Sequence, residues 1–424
     1  MEKIAATAFK ATQACLSFAD RILNDSHLGD PTFQGEPSPE YARLLAKGPI
    51  VRSYVIGGWA VLGFEAVVDA LKDSRLSSNI GNSPIVRRMY EFASDTDSSP
   101  ILERPMMTNT DPPEHGRLRK LARSGFLKRT VASLEPTIRG MVKGCLATLE
   151  GQETFDLVSS ISRPIPARVI GDLLGIPLER REPFRKIAEE YLRHAPVVEF
   201  DSLRRANEAY QNLLEFMGAV IAEKREELGQ DFTSQLIGAE EDGERLSVEE
   251  VVRTCTLLMA AGYDTTTRLI GNAVFLLLSH PEQLAQLRDN PDLIENAIEE
   301  VLRFESPVQL VLRVATEDLT LHGAMIRQGQ TVIVILSSAN RDPAANPEPD
   351  VFDITRTKLS HVGFGYGIHL CLGAELARLE TRIVLEELLE RYPTLTLMHS
   401  TPRWEPGYAF RGLEELQLAA YKPS

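Results

Sequence analysis

Phe364-Gly365-Tyr366-Gly367-Ile368-His369-Leu370-Cys371-Leu372-Gly373 decides how this chain is read. The glycines do not form a phosphate cradle, because neither a Walker-type loop nor a GxGxxG turn behind a strand is present. A zinc site wants three or four Cys/His at finger-like spacing, and His369-x-Cys371 supplies two with no partner cluster. What the stretch offers is one cysteine at the start of a helix, in a loop whose glycines permit tight turns. Backbone N–H groups at a helix start favour an anion and so stabilise a thiolate. One thiolate, N–H donors and an aromatic shield at Phe364 suit a haem iron held by a single protein ligand. A lone cysteine is ordinarily an inert small hydrophobe, but Phe364 and the glycines in this order argue against that here.

Outward from the loop, a helix is expected at about 372–391 and short strands near 394–398 and 412–420. Upstream, helical spacing marks 64–73, 113–124, 131–149, 166–174, 203–226, 247–279, 281–289 and 291–304. Strand-like runs occupy 309–314 and 318–336. Val51–Leu62 reads as a hairpin turned at Gly57-Gly58. The outline is mostly α, an α+β fold in which a smaller β-rich region is assembled from distant strands. One feature conflicts with its own context. The long helix at 247–279 carries Ala261-Gly262-Tyr263-Asp264-Thr265-Thr266-Thr267 in its middle, where glycine and successive threonines are poor helix formers. Such local conflicts mark functional sites.

Composition narrows the function. Lys plus Arg total 46 against 60 Asp plus Glu, a net charge of −14. That balance excludes a general nucleic-acid binder and a protein carried by a polybasic membrane patch. The four cysteines, Cys15, Cys145, Cys255 and Cys371, lie far apart with no CxxC pair, against a disulfide framework and for a reducing cytoplasm. No apolar run is long enough to span a membrane. Ile4, Ala8, Ala11, Cys15, Phe18 and Ile22 have helical spacing rather than the core of a signal peptide. A soluble cytoplasmic protein is expected, with residues 1–44 a helical or irregular segment packed on a single domain spanning 1–424.

The loop Phe364–Gly373 resembles the cysteine-ligand loop of the cytochrome P450 family at every specified position, and the resemblance extends over roughly residues 45 to 420. It implies the P450 fold, with haem b (iron protoporphyrin IX) between the long central helix and the Cys371 loop. Phe364, Gly365 and Gly373 would then shape the loop around the ligand. Glu300-Val301-Leu302-Arg303 matches the family's buried Glu-x-x-Arg, completed by Arg356, with Arg341 the weaker candidate; the implied role is structural. Asp264-Thr265 resembles the acid–alcohol pair that relays protons to bound oxygen, on a helix locally opened at that point, with Ala261 and Gly262 beside the cofactor. By itself, Thr265 could equally bond back to the Ala261 carbonyl. His115, Arg119, Arg313 and His369 resemble the partners of the haem carboxylates.

The reaction so implied is insertion of one oxygen atom from O2 into a mainly hydrophobic small molecule. Met89, Leu258, Ala261, Val308, Leu310 and Phe410 are expected to line its pocket, with a lid from about 75 to 105. No flavin or four-cysteine iron–sulfur module can be recognised. Electrons are therefore expected from a separate ferredoxin or flavodoxin, docking on Arg117, Lys120 and Arg123. A peroxide-driven enzyme of the same fold is the first alternative, and loss of the Asp–Thr pair would favour it. A non-catalytic haem gas sensor is the second, for which a complete proton relay would be idle.

Overall fold

The computed structural model describes residues 36–53, 58–93, 99–194, 200–241 and 244–420. The expected N-terminal helix over residues 4–22 lies outside them. The central helix, Val248–Ser279, runs for 32 residues and organises the rest. Its start is held by a capping box. Ser247 Oγ accepts from the Glu250 N–H at 3.2 Å, and Glu250 Oε2 accepts from the Ser247 N–H at 2.7 Å, which satisfies two donors that a helix end leaves free. The helix is buried along most of its length, so hydrophobic packing outweighs the poor propensity of Gly262 and Thr265–Thr267. Around it pack helices Pro164–Leu173, Phe200–Glu226 and Ala374–Arg391, the last following the Cys371 loop.

The main sheet has five strands in the order Ile50–Ser53, Gly58–Val61, Thr331–Ile335, Leu310–Ala315, Leu76–Ser77. All neighbours are antiparallel except Gly58–Val61 with Thr331–Ile335. The hairpin exists, but Gly58 is not its turn. It pairs with Ser53 inside the ladder, and a Cβ there would lie 1.7 Å from the Thr331 carbonyl oxygen. Glycine is required at this point for the close approach of a neighbouring strand. Gly57 lies outside the described residues. A second, three-stranded sheet joins Leu395–Leu397, Gln417–Ala420 and Thr154–Asp156.

Most expected elements are present with shifted ends. The helix expected at 131–149 divides into Lys128–Ser133 and Glu135–Ala147, because Pro136 fits only the first turn of a new helix. Other helices were not anticipated: the short Pro100–Glu103, Phe232–Gly238 and Leu336–Asn340, and the longer Ser38–Leu45, Pro84–Phe92 and Leu178–His194. The last is densely charged, contains Pro183, and fully buries only Phe184 and Ala188, too thin an apolar stripe to read from periodicity. Among the described residues, no helix is long and apolar enough to cross a membrane.

The register of the main sheet sorts its side chains. Arg313 lies opposite Val332, on the face that also carries Val311 and Val334. Leu310 and Leu312 lie opposite Ile335 and Ile333, packed with Tyr41, Leu44, Ala60 and Leu62. Leu310 therefore points away from Arg313, contrary to its expected place in the pocket. The pleat puts Val311, rather than Leu310, on the sheet face that carries Arg313.

Candidate active site

The Cys371 loop is built by its own backbone. Cys371 N–H donates to the Phe364 carbonyl at 2.9 Å and Gly365 N–H to that of Val362 at 2.8 Å. Gly365 and Gly367 take φ of +75° and +70°, where a side chain would be strained. Gly373 precedes the helix Ala374–Arg391. Of the described cysteines, Cys145 and Cys255 are buried and Cys371 is exposed. Burial pushes the Cys255 thiol up to about 12, which makes it inert. Burial also raises Cys371, whose side chain opens on the cleft from deep in the fold, but there the Gly373 N–H, Arg119 and Arg378 pull toward the thiolate.

A ring of nitrogen donors surrounds this loop. Arg119, on helix Glu114–Ala122, donates to the Leu370 carbonyl at 2.5 Å. His115, one turn earlier, packs against His369 with ring centroids 4.0 Å apart and the rings tilted by 44°, and His369 Nε2 lies 2.9 Å from Ser78 Oγ. Burial, then the neighbouring imidazole and guanidinium groups, depress His369 to about 3, and burial with Arg119 lowers His115. Arg313 is buried and donates to the Leu312 carbonyl at 2.8 Å. Burial brings it down to about 10, opposed by Asp111. That carboxylate already accepts from Ser77 Oγ and from the Ser78 N–H at 2.8 Å. Arg313 has no ion-pair partner among the described residues. Desolvating a guanidinium without an anion is costly, so this donor set suits a ligand that brings its own carboxylates. Haem fits these residues: Cys371 would hold its iron, while Arg119, Arg313, His115 and His369 would meet its carboxylates.

Facing the cleft from the central helix, Ala261 is exposed and Gly262, Asp264 and Thr265 are partly so, while Tyr263, Thr266 and Thr267 are buried. The helix is continuous here, so the expected local opening is absent. Thr265 Oγ donates to the Ala261 carbonyl at 2.7 Å, the back-bond available to any helical threonine. Asp264 does not bond to Thr265. It accepts from Arg268 instead, Nε at 2.7 Å and a terminal nitrogen at 3.2 Å. Arg268 also meets Glu405 at 2.7 Å, and Glu405 meets Arg163 at 2.9 Å. Sequence reading missed Arg268, although an acid and an arginine four residues apart share a helix face.

The pocket residues divide. Val308 and Phe410 are brought together as bridge partners, reinforced by the Gln309 N–H donating to the Ala409 carbonyl at 2.8 Å. Met89, on helix Pro84–Phe92, is half-buried against the main apolar cluster, and Leu258 lies within that cluster. Residues 94–98 of the expected lid lie outside the described residues. Arg87 turns back to the Gly81 carbonyl at 3.0 Å; Arg88 is exposed.

Away from the cleft, Glu300 and Arg303 are fully buried and joined at 2.6 and 2.7 Å. Arg356 reaches Glu300 at 3.2 Å and donates to the carbonyls of Pro347, Glu348 and Val351. Arg341, the weaker candidate, instead lies 3.5 Å from the Phe304 ring centroid and pairs with Asp350.

Comparison with known proteins accounts for this combination of fold and cleft. The family model described as Cytochrome P450 matches residues 82–406. The chain is 38% identical over 393 residues to the biotin biosynthesis cytochrome P450 of Bacillus subtilis, covering 91% of this chain and 96% of that one. It is 37% identical over 420 residues to the cytochrome P450 monooxygenase PikC of Streptomyces venezuelae, covering 96% and 97%. The crystal structure of P450BioI in complex with acyl carrier protein ligated to hexadec-9Z-enoic acid superposes with a TM-score of 0.83 at 36% identity, over 92% of this chain and 100% of that one. This chain belongs to the cytochrome P450 family. It is a haem-binding monooxygenase, and members of its family act on a substrate with O2, typically served by redox partners.

Proposed function

We propose that Cys371 is the axial thiolate of a haem whose carboxylates are held by Arg119, Arg313, His115 and His369, and that the substrate is a mainly hydrophobic small molecule. The observation that carries the haem assignment is Arg313, a buried guanidinium near His369 of the loop with no ion pair among the described residues, the nearby Asp111 being engaged by Ser77 and Ser78. Haem bound through a thiolate supplies the activation of O2 and the delivery of one oxygen atom to a C–H or π-bond.

The chain's own residues do the rest. Ala261 and Gly262 leave the helix surface low beside the cofactor. Thr265 presents a hydroxyl to the cleft that would relay a proton there once it leaves the Ala261 carbonyl, and Asp264 would serve as the acid behind it once released by Arg268. Ala261, Val308, Val311, Met89 and Phe410 supply an apolar lining without a fixed charge, which excludes water and favours a hydrophobic guest. The fatty acyl group in the P450BioI complex is such a guest.

Electrons would come from a separate ferredoxin or flavodoxin. Arg123, Lys128 and Arg129 are exposed and form the basic surface offered to it. Arg117 is not available, because it pairs with Glu114 at 2.9 Å and with Glu250.

Carbon monoxide added to the reduced protein tests the ligand. The strongly red-shifted Soret band of thiolate ligation is expected in the wild type and absent in Cys371→His. A Cys371→His variant that kept the band would place the ligand elsewhere. Optical titration with apolar compounds tests the substrate class through the spin-state change on binding, and a response to charged polar compounds alone would refute it.

A further inference from the structure

Glu299 and Glu300 are neighbours on helix Ile294–Phe304 but serve different networks. Glu300 faces Arg303 and Arg356. Glu299 faces the Cys371 loop, where it takes two hydrogen bonds from Arg378, Nε at 2.6 Å and a terminal nitrogen at 3.0 Å. His361 Nε2 donates to the same carboxylate at 2.8 Å. The direction follows from the other ring nitrogen, since His361 Nδ1 accepts from the Gly363 N–H at 3.1 Å. Arg378 lies with Cζ 4.6 Å from the centroid of Phe364, the residue whose carbonyl accepts the Cys371 N–H.

The guanidinium is thus fixed edge-on by a carboxylate and face-on by the aromatic ring, a geometry that a planar cation can satisfy and an ammonium cannot. Gly363, between His361 and Phe364, has no room for a side chain, because a Cβ would stand 3.0 Å from Ser306 Oγ and 3.1 Å from the Leu302 carbonyl oxygen. The approach to the ligand loop is therefore held on both sides: by Gly363 against helix Ile294–Phe304, and by Arg378 from helix Ala374–Arg391. Burial works to raise Glu299, yet His361 and Arg378 hold it down at about 2, so this carboxylate stays ionised.

We propose that His361, Glu299 and Arg378 form a positioning network that seats Phe364 against the Cys371 loop and sets the reduction potential of the haem iron by balancing the Arg378 guanidinium against the Glu299 carboxylate, with Glu375 a second, longer contact of Arg378 at 3.3 Å. A positive charge near the thiolate draws electron density from the sulfur and favours ferrous iron, and a nearby carboxylate opposes this. Arg378 reaches the loop through Phe364, whose ring centroid lies 4.6 Å from its guanidinium carbon and whose carbonyl accepts the Cys371 N–H. The network makes no contact with substrate and takes no part in proton transfer.

Potentiometric titration of the holoprotein tests this. The inference rests on thiolate-ligated haem, so the carbon monoxide band is recorded for each variant and reports separately on that assignment. Arg378→Gln removes the cation and is expected to shift the ferric/ferrous midpoint potential negative. Glu299→Gln removes the closer of the two carboxylates on Arg378, leaving only Glu375 at 3.3 Å, and is expected to shift it positive, with the thiolate band kept in both. Unchanged potentials, or shifts of the same sign, would overturn the proposal. If Glu299→Gln does not retain haem, Arg378→Lys decides: it keeps the charge while losing the flat contact with Phe364, and its potential should lie above that of Arg378→Gln. Equal potentials in those two variants would overturn it as well.

Discussion

Arg268 grips Asp264 from one turn further along the same helix, Nε to Oδ2 at 2.7 Å, and binds Glu405 of the C-terminal segment at the same distance. Its guanidinium carbon lies 5.6 Å from the Phe410 ring centroid, and a side chain at Gly412 would collide with its stem. Asp264, next to Thr265 in the chain, is therefore tied, through one side chain, to the turn that carries a candidate substrate contact.

That bond gives Arg268 a structural weight its helix position alone would not. Arg268→Ala strands the carboxylate of Asp264, mostly shielded from water, and leaves Glu405 with Arg163 alone; it is expected to destabilise the holoprotein by about 3 kcal/mol. Arg268→Lys should restore part of the loss. Chemical denaturation measures both, and an Arg268→Ala variant as stable as wild type would show that Asp264 does not need this partner.

Thr265→Ala removes the hydroxyl while leaving the helix and the Cys371 loop intact. Haem content and substrate binding should be unchanged. Loss of a positioned proton donor costs on the order of 10²-fold or more in the step it serves, so product formed per reductant consumed should fall and hydrogen peroxide should rise. Quantifying peroxide against product checks this, and unchanged coupling would move the role to Thr266 or to water.

Glu300→Gln leaves Arg303 and Arg356 without the carboxylate between them. Breaking a buried pair by removing one partner costs about 3–5 kcal/mol. The expected result is low yield and a reduced haem-to-protein ratio, with no altered chemistry in whatever folds. Normal haem incorporation together with lost turnover would contradict a purely structural role.

Glu299 predicts a pH dependence. Its folded pKa is held near 2, below its ordinary 4.5, so its contribution to stability is fully present above pH 4.5. It is lost as pH falls from there toward 2. After allowance for partial exposure the contribution is on the order of 2 kcal/mol. Between pH 5 and pH 2, Glu299→Gln should lose less stability than wild type. Parallel stability curves for the two proteins would refute the assignment.

Much of the cleft was legible from local pattern. Cys371 stands among glycines whose positive φ no other residue adopts easily, and Glu300 and Arg303 share a face by spacing alone. His115 and Arg119 are likewise one turn apart, and the structure brings both to the Cys371 loop. The central helix was legible too, from Ser247 to Ser279, because its apolar pattern is long enough to outweigh its threonines.

What local pattern could not show was direction and partnership across the fold. Leu310 and Val311 are adjacent and similar in character. Only the pairing of Leu310 with Ile335 and of Arg313 with Val332 decides which of them faces the cleft. Thr265 had two readings open to it, and the continuous helix settled its resting bond on Ala261. Glu299 meets His361 across 62 residues and Arg378 across 79, separations at which no spacing rule operates. Sequence by itself determined the family, the ligand loop and the buried Glu-x-x-Arg, because these depend on backbone conformation and helical period, which are local. Tertiary structure alone decided which charges are paired and which, like Arg313, are buried without an ion pair among the described residues. That depends on burial, and burial is a property of the assembled core.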